Sequence, residues 1–284
     1  MIKVMVPATS ANCCVGFDAL GMALDWWASF TFEKSDTLEI DGCPSQFCTS
    51  NNLVVQSFYK TCDYLGKEYP KFKLHIDTDI PFARGLGSSS TCVVAGILAC
   101  DAWFEANLNK MVLLELATRI EGHPDNVAPA IFGQACACFM EEERVRMSLV
   151  PCASYQALAI IPDYEVRTQD ARKVLPESLA FHDCVKQVSH ALAFTQALSQ
   201  GNELILSHAC QDYLHEPYRK QFIKEYDEIK NFCFKNEIPM WISGSGSTML
   251  CLSMEKEKLD LVYDFVDGLE CRYLKVSKKG AYVE

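Results

Sequence analysis

Arg84-Gly85-Leu86-Gly87-Ser88-Ser89-Ser90 stands where a strand has just ended and a long apolar segment is about to begin. Before it, residues 73–80 alternate apolar and polar as a half-buried strand does, and Pro81 breaks that ladder. After it, residues 91–104 are apolar on nearly every side, which predicts a helix buried within the fold. Glycines at 85 and 87 let the backbone approach a ligand and take conformations that a side chain forbids. The first amides of the helix point at the same place, and the helix dipole favours an anion there. Serine hydroxyls can bond phosphate oxygens or a magnesium ion. A tight turn with a capped helix needs only the Gly-x-Gly; three serines at the helix start favour phosphate. The loop lacks the Lys-Ser or Lys-Thr pair of a Walker A sequence and the third glycine of a Rossmann fingerprint.

Outward from this loop the pattern is that of an α+β chain in two halves. Residues 2–6 and 30–32 read as strands, and Asn109 reads as the N-cap of a second helix reaching about Glu121. Glu141-Glu142-Glu143-Arg144 reads as a solvated turn between strands. The pattern restarts near residue 153. Residues 155–161 read as a strand closed by Pro162, and 183–199, 203–212 and 220–235 read as helices. Short strands at 241–243 and 249–252 flank a second glycine-serine turn, Ser243-Gly244-Ser245-Gly246-Ser247-Thr248. The expected domains are therefore 1–153 and 154–284.

Composition narrows the function. A chain of 284 residues, 49% apolar and 22% charged, has room for two ordinary cores and is not disordered. Its net charge of −11 excludes nucleic acid and anionic membrane as expected partners, because both demand a basic face. The longest apolar run, residues 92–100, is too short to span a bilayer, and the N-terminal residues hold no signal-peptide stretch. A soluble, cytoplasmic protein is expected. The fifteen cysteines are scattered, with no Cys-x-x-Cys pair; Cys13-Cys14 and Cys136-Ala-Cys138 are the closest groupings. They read as small buried apolar residues in a reducing compartment.

Other candidate residues are ambiguous taken singly. Asn12 and Asp18, in a small polar stretch after the first strand, suit an amino or hydroxyl group, though turn chemistry explains them equally well. Glu115 lies on the second helix and would reach a metal beside the loop only if the two helices pack together. His123 reads as a hydrogen-bonded structural histidine or a site residue. Arg172 and Arg219 each suit a bidentate grip on a carboxylate, or are surface charges.

Taken together, these segments resemble the GHMP kinase superfamily of small-molecule kinases, whose three motifs occur here in order at residues 7–18, 81–91 and 242–249. Within it, the run His123-Pro124-Asp125-Asn126-Val127-Ala128-Pro129-Ala130-Ile131-Phe132-Gly133 is similar to the homoserine kinase branch, as are residues 168–172 and 216–219. The resemblance covers nearly the whole chain. It implies a two-domain α+β fold, with an N-terminal half like ribosomal protein S5 domain 2 and a ferredoxin-like C-terminal half. It implies ATP- and magnesium-dependent phosphorylation of L-homoserine to O-phospho-L-homoserine, a step toward threonine. The phosphate cradle would be Pro81, Arg84, Gly85, Leu86, Gly87, Ser88, Ser89 and Ser90, with Ser89 and Glu115 as magnesium ligands. Homoserine would be held by Asn12, Asp18, His123, Thr168, Arg172, Arg219 and the backbone at Gly244, with Asn126 beside the transferring phosphoryl group.

Arg172 and Arg219 would take the substrate carboxylate and Asp18 its ammonium, which favours an amino acid over mevalonate or pantoate. The intact loop and Glu115 favour an enzyme over a silent sensor on the same fold. Two routes for the hydroxyl proton stay open, to the γ-phosphate or to Asp125. Adenine contacts are expected near Asn52, and the resemblance allows a homodimer. Cys14 and Gln134 stand where the family commonly has glycine, and Ser247 where it commonly has proline. A side chain at Cys14 is expected to narrow the substrate end of the cleft.

Overall fold

A computed structural model describes residues 1–284. The chain begins β1 (Ile2–Ala11), β2 (Leu20–Lys34), β3 (Glu39–Asp41), α1 (Leu53–Leu65), β4 (Phe72–Asp77), α2 (Ser88–Trp103) and α3 (Lys110–Glu121). It continues α4 (Val127–Phe132), β5 (Ala135–Glu141), β6 (Arg144–Val150), β7 (Gln156–Ile161), α5 (Thr168–Lys173), α6 (Phe181–Gln200) and α7 (Glu203–Ala209). It ends α8 (Glu216–Arg219), α9 (Tyr226–Lys235), β8 (Met240–Ile242), β9 (Met249–Ser253), α10 (Lys256–Phe265), β10 (Glu270–Lys275) and β11 (Tyr282–Val283).

The strands form two sheets. In the first, the order is β11-β1-β2-β4-β3, with β5 joined to β2 and β6 to β5; only the β3–β4 pair is parallel. The second has the antiparallel order β10-β7-β9-β8. A division at residue 153 separates the strands of the two sheets except β11, which returns to the first sheet, and it does not separate the cores. Alternation along the second sheet sends Ala157, Ala159, Trp241, Leu250 and Leu252 into the large core that also holds Phe30, Phe58 and Phe72. The opposite face, with Leu158, Ile160, Met249 and Cys251, packs under α9 and α10 in a smaller core. The chain also returns to its start, since Tyr282 and Val283 pair with Met5 and Val4 of β1.

Local signals explain most elements. Asn109 caps α3 as expected, its side chain accepting from the Met111 and Val112 amides at 3.1 Å each. α2 has apolar residues all round and is largely buried, with Val93, Val94, Ile97 and Cys100 in the core. Two expected helices are shorter. The one at 203–212 stops at Ala209, because Asp212 turns back to accept from the Leu214, His215 and Glu216 amides and starts α8. The one at 220–235 is broken at Ile223, which is extended so that it and Tyr226 both reach the smaller core. All fifteen cysteines are free thiols; nine are buried, as their reading as core residues expects, and Cys43, Cys48, Cys92, Cys152, Cys184 and Cys271 are partly exposed. No helix is long and apolar enough to cross a membrane.

Helix α2 is pressed against α1 at Gly96, where a Cβ would stand 2.3 Å from the Val54 carbonyl oxygen. Gly96→Ala is therefore expected to destabilise the protein by about 1–3 kcal/mol, the usual cost of overpacking. Urea denaturation followed by far-UV circular dichroism should show a lower midpoint with an unchanged slope.

Candidate active site

The glycine loop is held on both sides before α2 begins. On one side the Thr9 amide of β1 donates to the Leu86 carbonyl at 3.1 Å. On the other, the Thr248 amide donates to the Arg84 carbonyl at 3.1 Å, and the Ser243 hydroxyl donates to the Gly85 carbonyl at 2.6 Å. Ser243 also bonds Ser10 at 2.8 Å, and the Trp241 indole donates to Ser10 at 3.0 Å. The second glycine-serine turn is thus a brace for the first. Both loop glycines are required by this packing. At Gly85 (φ 76°) a Cβ would sit 2.0 Å from the Ser243 carbonyl oxygen, and at Gly87 (φ 70°) 2.0 Å from the Thr9 hydroxyl. Gly87 is also the N-cap of α2 and gives it no side-chain cap, so its first amides are left for a ligand.

Above this loop lies a cleft of about 480 Å³, lined by Gly85, Gly87, Ser88, Ser89 and Ser90 at one end. Asn12, Asp18, His123, Asn126, Thr168, Arg172, Arg219 and Gly244 line the rest, so the structure gathers these expected substrate residues in one space. Three residues of the expected cradle do not face it. Leu86 is a core side chain, 1% exposed. The Arg84 guanidinium turns away to the Pro162 and Asp163 carbonyls at 3.1 and 2.8 Å, tying the loop to the second half. Pro81 lies at the loop's entry and is not among the cleft-lining residues.

Glu115 requires a correction. It lines a separate cavity with Thr118, Arg119 and Met140, away from the loop. The carboxylate beside the serines is Glu121, the last residue of α3, which accepts from Ser89 at 3.1 Å and Ser90 at 3.0 Å. Six residues on a helix turn through about 240°, so the two glutamates cannot face the same partner. Glu121 stands two residues before His123, the start of the run 123–133, and that nearness was the available signal.

The other end of the cleft is strongly charged. Arg172 grips Asp18 with both terminal nitrogens, at 2.9 and 2.7 Å. Arg219 is 2% exposed and donates to the Ala171 and Gly244 carbonyls at 3.1 and 3.2 Å. Burial, and then the nearby Arg172 charge, push its pKa down to about 10, so it stays a cation at neutral pH. Beneath both guanidiniums lies Phe17, a residue sequence reasoning passed over. Its ring centre is 5.5 Å from Arg172 and 4.8 Å from Arg219, and the ring stacks on His215 at 5.2 Å between centres. An aromatic face offsets part of the repulsion between two neighbouring cations. Asn12 links the ends, its side chain donating to the Gly244 carbonyl at 2.9 Å and accepting from the Asp18 amide at 3.0 Å.

Cys14 does not narrow this cleft. It keeps a left-handed backbone (φ 64°), as a glycine would, but its buried thiol points away and donates to Glu216 at 3.7 Å. Gln134 keeps the same conformation (φ 57°). Asn52 caps α1, accepting from Val54 at 2.9 Å, and lines an apolar slot of about 190 Å³ with Phe30, Phe47, Ile76 and Phe82. Leu53, Ser88 and Ser89 border both this slot and the main cleft.

His123 and Asp125 form a pair at 2.7 Å, and Asp125 is 1% exposed. The hydrogen bond to Asp125 raises the His123 pKa above its usual value near 6.5. A raised folded-state pKa gives stability that is full below the unfolded value and is lost as pH rises through the folded one. In an NMR titration His123 should titrate above 6.5 in the wild type and lower in Asp125→Asn. The stability difference between the two proteins should be largest in acid and shrink as His123 deprotonates.

The family described as GHMP kinases N terminal domain matches residues 52–134, the segment that carries the loop, α3 and α4. The homoserine kinase of Clostridium botulinum (strain Okra / Type B1) is 37% identical over 292 residues, covering 100% of this chain and 98% of that protein. The homoserine kinase of Clostridium beijerinckii is 36% identical over 289 residues, covering 99% and 97%. Among solved structures, the homoserine kinase from Cytophaga hutchinsonii superposes with a TM-score of 0.87 at 26% identity, covering 100% of this chain and 97% of that one. The α+β fold expected from the motifs is the fold these proteins share, and identity at this level runs from end to end. The chain belongs to the homoserine kinase family of the GHMP kinases.

Proposed function

We propose that the protein transfers the γ-phosphoryl group of ATP to the side-chain hydroxyl of L-homoserine, forming O-phospho-L-homoserine and ADP. One observation carries this reading. A single cleft joins the uncapped, serine-rich start of α2 to an end built from two arginines and an aspartate. The first end suits phosphates and the second a zwitterion. The apolar slot beside Ser88 and Ser89 suits the adenine ring. The donors at the loop also fit magnesium: hydroxyls of Ser89 and Ser90 and the Glu121 carboxylate are the hard oxygen ligands that ion takes. When bound, magnesium would neutralise charge on the phosphoryl oxygens.

The chain's own groups supply the rest. Arg172 and Arg219 take the substrate carboxylate and Asp18 its ammonium, which sets the hydroxyl toward Asn126 and the loop. Thr9 bonds the Asn126 amide oxygen at 2.7 Å and so fixes that side chain. In the step itself, the hydroxyl oxygen bonds to the γ-phosphorus while the bond to the bridging β–γ oxygen breaks. Asp125 is already engaged by His123, and this favours transfer of the hydroxyl proton to a γ-phosphate oxygen. Catalysis is then chiefly positioning and charge stabilisation in a loose transition state.

Coupled ADP-release assays with magnesium-ATP should show turnover of L-homoserine and little of L-threonine, mevalonate or pantoate; absent homoserine turnover by folded protein refutes the proposal. Glu121→Ala should lower kcat on the order of 100-fold, the scale of losing one group that stabilises transferring charge, whereas Glu115→Ala should leave it unchanged. Equal effects of the two would return the metal role to an open position. Phe17→Leu should raise KM for homoserine about tenfold, matching the ~1.4 kcal/mol within reach of a desolvated cation–π platform. KM for ATP should stay put, and Phe17→Tyr should restore most of the loss.

A further inference from the structure

Between β3 and α1 the chain runs along the mouth of the apolar slot, fastened near its two ends. At the start, Gly42 (φ 78°) is pressed on β4, where a Cβ would stand 1.9 Å from the Ile76 carbonyl oxygen. At the end, Asn52 caps α1 and also donates to the Phe47 carbonyl at 3.0 Å. No residue of 43–51 is buried. Within this segment a single 3-10 turn, Ser45–Phe47, brings Cys43 and Cys48 together, their sulfurs 3.6 Å apart. The pairs Cys62–Cys100 and Cys233–Cys251 are as close, at 3.6 and 3.7 Å, but both are fully buried and out of reach of solutes. Cys43 and Cys48 are partly exposed, and Cys43 lines the slot.

We propose that Cys43 and Cys48 are a site of reversible oxidation by small disulfides and, resting on the reading of the slot as the adenine site, that their disulfide weakens ATP binding. Burial, and then the hydrogen bond with Cys48, push the Cys43 pKa up to about 11, so Cys43 stays a thiol and Cys48 attacks first. The Cys48 sulfur displaces one half of oxidised glutathione, which leaves as a thiol with the Cys48 proton. The Cys43 sulfur then attacks the mixed disulfide at Cys48, and its proton goes to the second departing glutathione. Two protein thiols are oxidised, and one glutathione disulfide is reduced to two thiols.

The effect on nucleotide follows from the size of the slot. It holds about 190 Å³, below the roughly 300–1,000 Å³ of ordinary ligand pockets, so a nucleoside enters it by moving a wall. Phe30 and Ile76 stand on strands of the first sheet and Cys92 on α2, all packed on the large core. Phe47 and Phe82, with ring centres 6.1 Å apart, form the outer lip, and Phe47 rides on the segment that has no buried residue to hold it. A bond between residues 43 and 48 closes a ring around the turn that carries Phe47 and keeps that wall from yielding.

Full-length protein equilibrated in glutathione redox buffers tests this. Mass spectrometry of the tryptic peptide 35–60, which contains these two cysteines and no other, should show loss of two hydrogens that dithiothreitol restores. Affinity for AMP-PNP, a non-hydrolysable ATP analogue, should fall at least about fivefold on oxidation, the lower end of the usual coupling between two sites. By linkage, saturating AMP-PNP should raise the oxidised glutathione needed for half oxidation, at fixed reduced glutathione, by the same factor. Cys48→Ser should remove both effects while keeping the activity of the reduced wild type. A peptide that stays reduced, or stops at the mixed disulfide, overturns the modification site. A disulfide that leaves AMP-PNP affinity unchanged overturns its hold on the nucleotide. The slot itself has a separate control: Phe82→Ala in the reduced protein should weaken AMP-PNP binding roughly tenfold through lost apolar contact. If it does not, the adenine assignment fails and the effect on nucleotide with it, whereas the disulfide stands or falls by the peptide alone.

Discussion

The buried hydrogen bonds that join Ser10, Ser243 and the Gly85 carbonyl hold the rest of the site in place. They fasten three segments that are far apart in sequence: the end of β1, the glycine loop and the turn after β8. Trp241, fully buried, donates into the same cluster and fills the large core with its ring. Each hydroxyl there is committed, which is the condition for polar groups to be buried without loss. The start of α2 therefore has a fixed position relative to β1 and to the second sheet, and the cleft inherits that rigidity.

This also accounts for what the two halves share. A loop that only bound phosphate would need one scaffold. Here the Arg84 side chain and backbone, the Gly85 carbonyl and the Gly85 Cα position are all set by contacts from beyond residue 153. The large core likewise crosses the second sheet, with Trp241 and Phe194 packed edge to face at 6.0 Å. The halves are two sheets around a common interior, and β11 closes the first sheet with the last residues of the chain.

Much of the fold was legible in the sequence where causes are local. The loop and the Asn109 cap follow from neighbouring residues and appear where expected, and so does the alternation of β4, although the strand ends at Asp77 and not at the expected residue 80 before Pro81. The cleft's substrate end was legible only through the family resemblance, because Asn12, His123, Arg172 and Arg219 are brought together by long-range packing. Errors came where tertiary context chooses between local equals. Glu115 and Glu121 sit on one helix, and the packing of α3 on α2 decides which of them meets the serines. Residues 220–235 have a continuous helical pattern, yet Ile223 breaks it to reach the core beneath Gly246, whose Cβ would stand 2.8 Å from the Ile223 side chain. Phe17 carries no signal in its own neighbourhood; its role depends on two arginines far along the chain.

The ion pair between Asp18 and Arg172 has a consequence for selectivity. This end of the cleft holds one negative and one positive group in contact, a mould of opposite charges. A ligand that carries both an ammonium and a carboxylate can part them and leave each with a new partner. One with a carboxylate alone would draw Arg172 away and strand a half-buried aspartate, which is costly in a partly desolvated site. Discrimination of this sort comes from what a wrong guest leaves behind, and it needs no steric gate.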